Sequence, residues 1–482
     1  MNKDSIQPLN RETAPAATQR PVKVLQFGEG NFLRGFVDWI IDILNEKAAF
    51  NGDVQVVQPR DRSRSIIQAL QQQDGLYHVL LSGIQDGRLL QEKRLITCIA
   101  GASNPYDDYD AYLKYGENPD LAFIFSNTTE AGIAYDERDT SINAIPASFP
   151  GKLTALLYHR FRHFDGAAGS GLTIIPTELI ENNGDALRQV VLQYAQTWNL
   201  PAEFSGWVQE HLIFCNTLVD RIVPGFPKEN IIEIQQQLGY EDKLVVQAEP
   251  YHLLVLEAPA SVQQAFPAGE AGLQVKLVED LTPYRTRKVR ILNGAHTVLV
   301  PVAYLLGLRT VREAVEDEQA GTFVREAIFR EIIPTLDLPE AELEQFARDV
   351  LDRFRNPFIR HELISIALNA VAKYKVRVLP SVLEYKKRTG RLPDKLLHAL
   401  AALILFYKGV WNGEAIPLND TPEVLHFFAQ AWENGSAAEV VGRVLANKDF
   451  WDTDLTQVAG LPDMVTAHLQ QLLLTEKQMN KA

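Results

Sequence analysis

Lys288-Val-Arg-Ile-Leu-Asn293-Gly-Ala-His296 sets an amine, a carboxamide and an imidazole into an apolar helical run over residues 289–307. Packing calls for none of the three. At about 100° per residue, Asn293 and His296 are neighbours on one helix face. Lys288 lies about 80° round from His296 and ~12 Å down the axis, much of which a lysine side chain can span. Such a row suits an extended, hydroxyl-rich substrate, with Lys288 exchanging a proton and Asn293 and His296 donating hydrogen bonds. The competing reading is a helix start, with Lys288 solvated and the other two satisfied in the core, as buried polar groups usually are.

Upstream, Gly28-Glu-Gly30-Asn31-Phe32-Leu33-Arg34 joins a β-rich run at 22–27 to a helix with apolar residues at Phe32, Phe36, Trp39, Ile40 and Leu44. Free N–H groups and the helix dipole favour an anion there, and glycine lets backbone approach a pyrophosphate. Phe27, Gly28, Gly30, Asn31 and Phe32 are the candidate contacts. Leu33 stands where the usual fingerprint has its third glycine, and a ligand-free β–α turn would carry the same residues. The second strand ends Val56-Val57-Gln58-Pro59-Arg60-Asp61. An acid at that tip would hold the ribose hydroxyls of NAD, and an arginine the extra phosphate of NADP. Adjacent Arg60 and Asp61 leave the choice open.

Ser126-Asn127-Thr128-Thr129-Glu130-Ala-Gly132 follows the fourth apolar strand. It either places Asn127 and Thr129 where α/β sheets bind ligands or caps a helix. Val219-Asp220-Arg221-Ile222 sets an acid and a base inside an apolar frame, as a junction ion pair or as a substrate contact.

These groups need a scaffold, and 482 residues are enough for two or three domains. Apolar strands alternate with amphipathic helices from residue 22 to about 180, which implies a doubly wound, Rossmann-type parallel sheet covered on both faces. Helical periodicity dominates after Pro283. The expected division is a flexible arm at 1–20, a dinucleotide-binding domain at 21–275 and a mostly helical substrate domain at 276–482. A formal net charge of −14 without a basic block disfavours nucleic acid as a partner. The longest apolar run, 396–407, contains His398 and is too short for a bilayer, so it is expected to be a buried helix. Cys98 and Cys215 lie far apart in apolar runs, form no zinc spacing, and fit a reducing cytoplasm.

Taken in order, these motifs resemble the polyol-specific long-chain dehydrogenases, the family that includes mannitol dehydrogenases. The match continues through Asn356-Pro357-Phe-Ile359-Arg360-His361, Lys375 and Leu379-Pro380. Lys-x4-Asn-x2-His is that family's catalytic pattern. The resemblance therefore implies that Lys288 is general acid and base, with Asn293 and His296 holding the reacting oxygen and no metal required. It implies NAD as cofactor, and contacts to substrate from Glu130, Asp220, Arg360 and Lys375. Within the family the likeness is greatest to members acting on sugar acids, which implies reduction of D-tagaturonate to D-altronate in hexuronate catabolism. A fructuronate reductase, a hexitol-phosphate dehydrogenase and a non-catalytic nucleotide sensor are the alternatives; a monomer and a weak homo-oligomer both stay open.

In Thr177-Glu178-Leu179-Ile180-Glu181-Asn182-Asn183-Gly184 the chain departs from the mannitol dehydrogenases: Leu179 stands where they have a carboxamide that holds the reacting oxygen. Asn182 and Asn183 are the possible substitutes. An unperturbed lysine titrates at about 10.4, so burial or the neighbouring Arg287 and Arg290 would have to favour the neutral amine for oxidation. For the substrate carboxylate the candidates are Arg285, Arg360, Lys375 and Arg377; the resemblance favours Lys375.

Overall fold

The computed structural model describes residues 6–14 and 19–479. Two compact units emerge, residues 1–82 with 90–281 and residues 83–89 with 282–482.

In the first unit, Val22–Phe27 (β1), Asp53–Val57 (β2), Ile99–Ser103 (β3), Phe123–Ser126 (β4), Thr173–Pro176 (β5) and Ile213–Phe214 (β6) form one parallel sheet. Its spatial order is β3-β2-β1-β4-β5-β6. Alternate strand residues feed two cores: Val24, Val56 and Phe125 on one face, Leu25, Ile124 and Ile174 on the other. Burial on both faces is why these strands read as unbroken apolar runs. Strand order reverses between β1 and β4, so the loops leaving those two strands flank the crevice where such sheets hold ligands. Asn31–Gly35 (α1) and Val37–Lys47 (α2) follow β1.

The run beginning at Tyr77 leaves this sheet. Tyr77–Gln85 joins Val246–Ala248 and Arg88–Ile96 in a separate three-stranded sheet. Asn216–Asp220, Leu253–Glu257 and Val275–Val278 form another. The last of these pairs with Leu253–Glu257, so the first unit ends after Leu281 and not at 275. The amino-terminal arm is also less loose than expected over residues 6–14. Leu9 is buried beside Leu76, and the Arg11 amide donates to Asp74 Oδ2 at 3.1 Å.

Among the described residues, the second unit is helical apart from the strand ends within residues 83–89 and a two-stranded hairpin, Val410–Trp411 with Glu414–Ala415. Its centre is Gly294–Leu305 packed against Asp394–Phe406, the expected buried apolar helix. Tyr304 meets Phe406 edge-on at 5.3 Å. No described helix is long and apolar enough to cross a membrane.

Beneath α1, a buried polar network ties α2 to the neighbouring sheet. Tyr77 donates to Asp38 Oδ2 at 2.8 Å, and Arg34 donates to the Glu29 carbonyl at 3.1 Å. Burial pushes the Asp38 carboxyl up to about 7, against the pull of Tyr77, Gln26 and Arg34. A carboxyl raised in the folded state keeps a proton that the unfolded chain loses. Its contribution to stability is therefore complete below about pH 4 and lost as pH rises through about 7. Asp38→Asn should raise the melting temperature at pH 8 and flatten the decline between about pH 4 and 7. Thermal melts across that range check this; an unaltered profile would show that Asp38 is charged in the folded protein.

Candidate active site

Lys288, Asn293 and His296 do not sit on a regular α-helix. Thr282–Arg287 is α-helical, Lys288–Asn293 is a π-helical turn, and Gly294–Leu305 resumes the α-helix. A turn closed by i→i+5 bonds advances roughly 85° per residue. Lys288 then swings to within about 20° of His296 in place of the 80° expected, and Asn293 stands roughly 60° from each. On that ideal geometry the widened turn sets the three groups towards one face.

His296 is stacked on Phe354, ring centroids 4.1 Å apart, and meets His361 at 5.2 Å. Its Nε2 is sealed from solvent and has no hydrogen-bond partner among the described residues. Burial, then His361, Arg353, Arg377 and Lys373, hold the ring far below its ordinary range, so it is neutral. The Asn293 carbonyl accepts from the Thr297 hydroxyl at 2.8 Å, and its side-chain amide makes no hydrogen bond among the described residues. Lys288 is half-buried. Its cationic neighbours are engaged elsewhere: Arg287 with Glu342 at 2.8 Å and over the Phe346 ring, Arg290 with the Val376 carbonyl.

Two predicted carboxylate ligands are already paired with acids. Lys375 pairs with Asp452 at 2.7 Å, and Arg360 is 81% exposed and pairs with Glu362. The reason for Arg360 is local. Glu362 bridges Thr310 in extended fashion, and the Val311 amide holds the His361 carbonyl at 2.9 Å. Successive side chains of an extended segment point opposite ways, so His361 faces His296 and Arg360 faces water. His361 is thus a residue that the sequence analysis left unassigned, next door to the one it chose.

In the first unit the β1–α1 turn is set by Gly28 (φ +129°), where a Cβ would lie 2.8 Å from Leu33 Cδ1 and 3.1 Å from the Asn127 carbonyl. Leu33 therefore fills the space that the third glycine of the fingerprint would leave open. Gly30 differs: its φ of −69° suits any residue, and a Cβ there would meet nothing within 4 Å. Neither backbone nor packing demands glycine, so what it leaves is open room in front of the α1 amides. That opening is compatible with a pyrophosphate held by N–H groups at a helix start. Two clefts adjoin at Ala131. One of about 590 Å³ is lined by Phe32, Asn127, Thr129, Leu179 and Val219 among others. The other, about 580 Å³, is lined by Pro59, Arg60, Thr128, Tyr135 and Phe149 among others.

The loop after β4 is held by Glu178, which the sequence analysis passed over. Its buried carboxylate accepts from the Ser126 hydroxyl at 3.0 Å and the Thr128 amide at 2.9 Å. Asn127 donates to the Thr177 carbonyl at 2.9 Å. Thr129 sits at φ +122°, a strained conformation for a β-branched residue, and accepts from Arg60 at 3.2 Å. Arg60 thereby turns to the loop while Asp61 pairs with Arg64.

Several expected contacts change meaning. The Phe27 side chain is fully buried against Phe149, 4.9 Å between centroids, and only its backbone is left for a ligand. Asn31 Oδ1 is taken by Arg34 at 2.7 Å. Asn183 spends its amide on the Pro176 and Glu178 carbonyls and on Thr217, so it cannot replace the carboxamide missing at Leu179. Asp220 is buried at the end of its strand. Neighbouring Arg221 clamps the Gly35 and Glu249 carbonyls at 2.9 Å and lies over Trp39. The Glu130 side chain lies outside what the structure describes.

Comparison with known proteins gives a consistent result. Residues 22–268 match the mannitol dehydrogenase Rossmann domain and residues 280–473 the mannitol dehydrogenase C-terminal domain. The altronate oxidoreductase of Bacillus subtilis (strain 168) is 48% identical over 97% of this chain and 96% of its own length. That of Escherichia coli (strain SMS-3-5 / SECEC) is 47% identical over 98% of each. Among solved structures, D-sorbitol dehydrogenase in substrate-free form shares the fold with TM-score 0.77, 22% identity and 98% coverage of both chains. The Pseudomonas fluorescens mannitol 2-dehydrogenase complex with NAD and D-mannitol shares it with TM-score 0.65 and 23% identity, covering 98% of this chain and 100% of that one.

The two glycines separate conformation from ligand room. Gly30→Ala should melt like the wild type yet bind NADH severalfold more weakly in a fluorescence titration, whereas Gly28→Ala should lose stability as well. Unchanged NADH affinity in Gly30→Ala would remove the pyrophosphate from this turn.

Proposed function

The chain belongs to the mannitol dehydrogenase family, and we propose that it is an NAD-dependent oxidoreductase that reduces the ketone of D-tagaturonate to the hydroxyl of D-altronate and runs the reverse oxidation. The substrate rests on whole-length likeness to relatives named altronate oxidoreductase, 48% identical over 97% of the chain. The single observation that carries the chemistry is the π turn over Lys288–Asn293, whose wider pitch supports an amine, amide and imidazole set towards one face. The expected setting is cytoplasmic hexuronate breakdown.

The first unit supplies the cofactor residues: the open room at Gly30, the strained Thr129 and the clefts that meet at Ala131. When bound, the dinucleotide supplies or accepts the hydride. The second unit supplies the proton chemistry. Lys288 gives its proton to the carbonyl oxygen as that oxygen gains negative charge, and takes it back in the oxidation. Asn293 donates its unengaged amide hydrogen to the same oxygen. Neutral His296 has an unpartnered, closed-off Nε2; in the Nε2–H tautomer it is the second donor we assign to that oxygen once substrate gains access to it. Because burial and surrounding cations keep the ring uncharged, His296 orients and stabilises but does not exchange the proton. Leu179 contributes no donor and the Asn183 amide is spent; we assign the oxyanion stabilisation to Asn293 and His296, worth about 3 kcal/mol per donor in comparable sites.

NADH oxidation against tagaturonate, fructuronate and neutral ketohexoses tests the assignment, with the highest kcat/KM expected for tagaturonate. A clear preference for fructuronate would reassign the substrate. Lys288→Ala should lower kcat by about 100- to 10,000-fold while leaving NADH affinity intact. His296→Ala should lower kcat by about 100-fold. Near-normal kcat in the lysine variant would remove it from proton transfer.

A further inference from the structure

The second unit carries half-buried cations that form no ion pair among the described residues. Arg377, half-buried at the end of the helix Ala370–Arg377, makes no hydrogen bond or ion pair among the described residues. Arg290 donates to the Val376 carbonyl, and Lys373 to the Ile366 carbonyl at 2.8 Å. Burial lowers all three from their ordinary values. Asp420 acts on Lys373 from a distance, but its carboxylate accepts from the Tyr407 hydroxyl.

Elsewhere in the second unit the opposite holds. Arg287 has Glu342, Arg360 has Glu362 and Lys375 has Asp452. In a chain of net charge −14, acids are plentiful. A guanidinium that is partly desolvated and left without one is costly unless something else completes it.

Position says what that is. Residues 373 and 377 lie on one helix face and 375 on another, which separates Lys373 and Arg377 from the surface pair of Lys375. The Arg377 carbonyl lies 3.3 Å from where a Cβ on Gly294 would sit, so this helix end abuts the backbone beside Asn293. The charges of Arg377 and Lys373 both reach the His296 ring. The vacant cationic positions are thus beside the groups that hold the reacting oxygen.

We propose that Arg377, flanked by Arg290 and Lys373, receives the substrate carboxylate and selects a sugar acid over a neutral sugar. This rests on the functional reading above and refines it. A guanidinium binds a carboxylate through two parallel hydrogen bonds, which an ammonium at the same place reproduces only in part.

The test compares kcat/KM for tagaturonate with that for tagatose, the same ketose without a carboxylate. Arg377→Met should cut the tagaturonate value about 100-fold, as for lost charge-assisted bonds, and the tagatose value far less. Arg377→Lys should recover part of the difference. Equal losses on both sugars, or an unchanged ratio, would overturn the proposal. Wild-type protein gives an independent answer that needs neither turnover nor a folded variant. With NADH bound, which leaves no hydride acceptor, altronate should raise the melting temperature more than altritol, its carboxylate-free counterpart. Equal shifts would overturn the carboxylate site, whereas wild-type inactivity on every ketouronate would overturn the functional reading instead.

Discussion

An amine and an imidazole eight positions apart, with an amide between them, come nearer to one line along a helix when that helix changes pitch. The π turn at Lys288–Asn293 makes that change. Such turns are less favourable than α-helix and persist where surrounding contacts hold them. Here Gly294 admits the Arg377 carbonyl and Arg290 reaches the Val376 carbonyl, so the helix ending at Arg377 braces the widened turn from outside. The same brace brings cations to the side of the row where a sugar acid needs them. A second π segment, Ala327–Ile332, carries no comparable row, so widening alone does not make a site; the residues it aligns do.

The two units divide the chemistry by what their backbones are good at. The parallel sheet presents glycine turns and strand-end loops, which bind a dinucleotide through N–H groups and shaped clefts. Its stiffness at that point comes from buried acids: Glu178 gathers the loop after β4, and Asp38 sits beneath the glycine turn. The helical unit presents side chains in a row, which suits proton transfer to a polyhydroxylated chain. Phe354 and His361 hold the His296 ring flat and neutral, fixing a donor without adding a second proton to the exchange.

Much of this was legible in residue order. Apolar strands alternating with helices gave the doubly wound sheet, and the run at 396–407 is the buried helix it was expected to be. The row at Lys288 was visible, but its angular arrangement was not, because a π turn depends on packing that no local pattern records. Arg360 and Lys375 were candidate carboxylate ligands by charge and, for Lys375, by resemblance; the structure gives each an acidic partner, Glu362 and Asp452. Arg377 became informative only when the acids of its neighbours could be seen and its own could not. Glu178 escaped notice because its partners lie across the sheet, on the loop after another strand. Asn183 looked available because sequence does not show that its amide is already spent.

The central claim is that the Lys288 amine moves the proton that accompanies hydride transfer. Chemical rescue tests it most directly: Lys288→Ala assayed for altronate oxidation with added small primary amines. The account predicts turnover that rises with amine concentration and increases with amine basicity at fixed size. Absence of amine-dependent turnover, while NADH and altronate still bind, would contradict it.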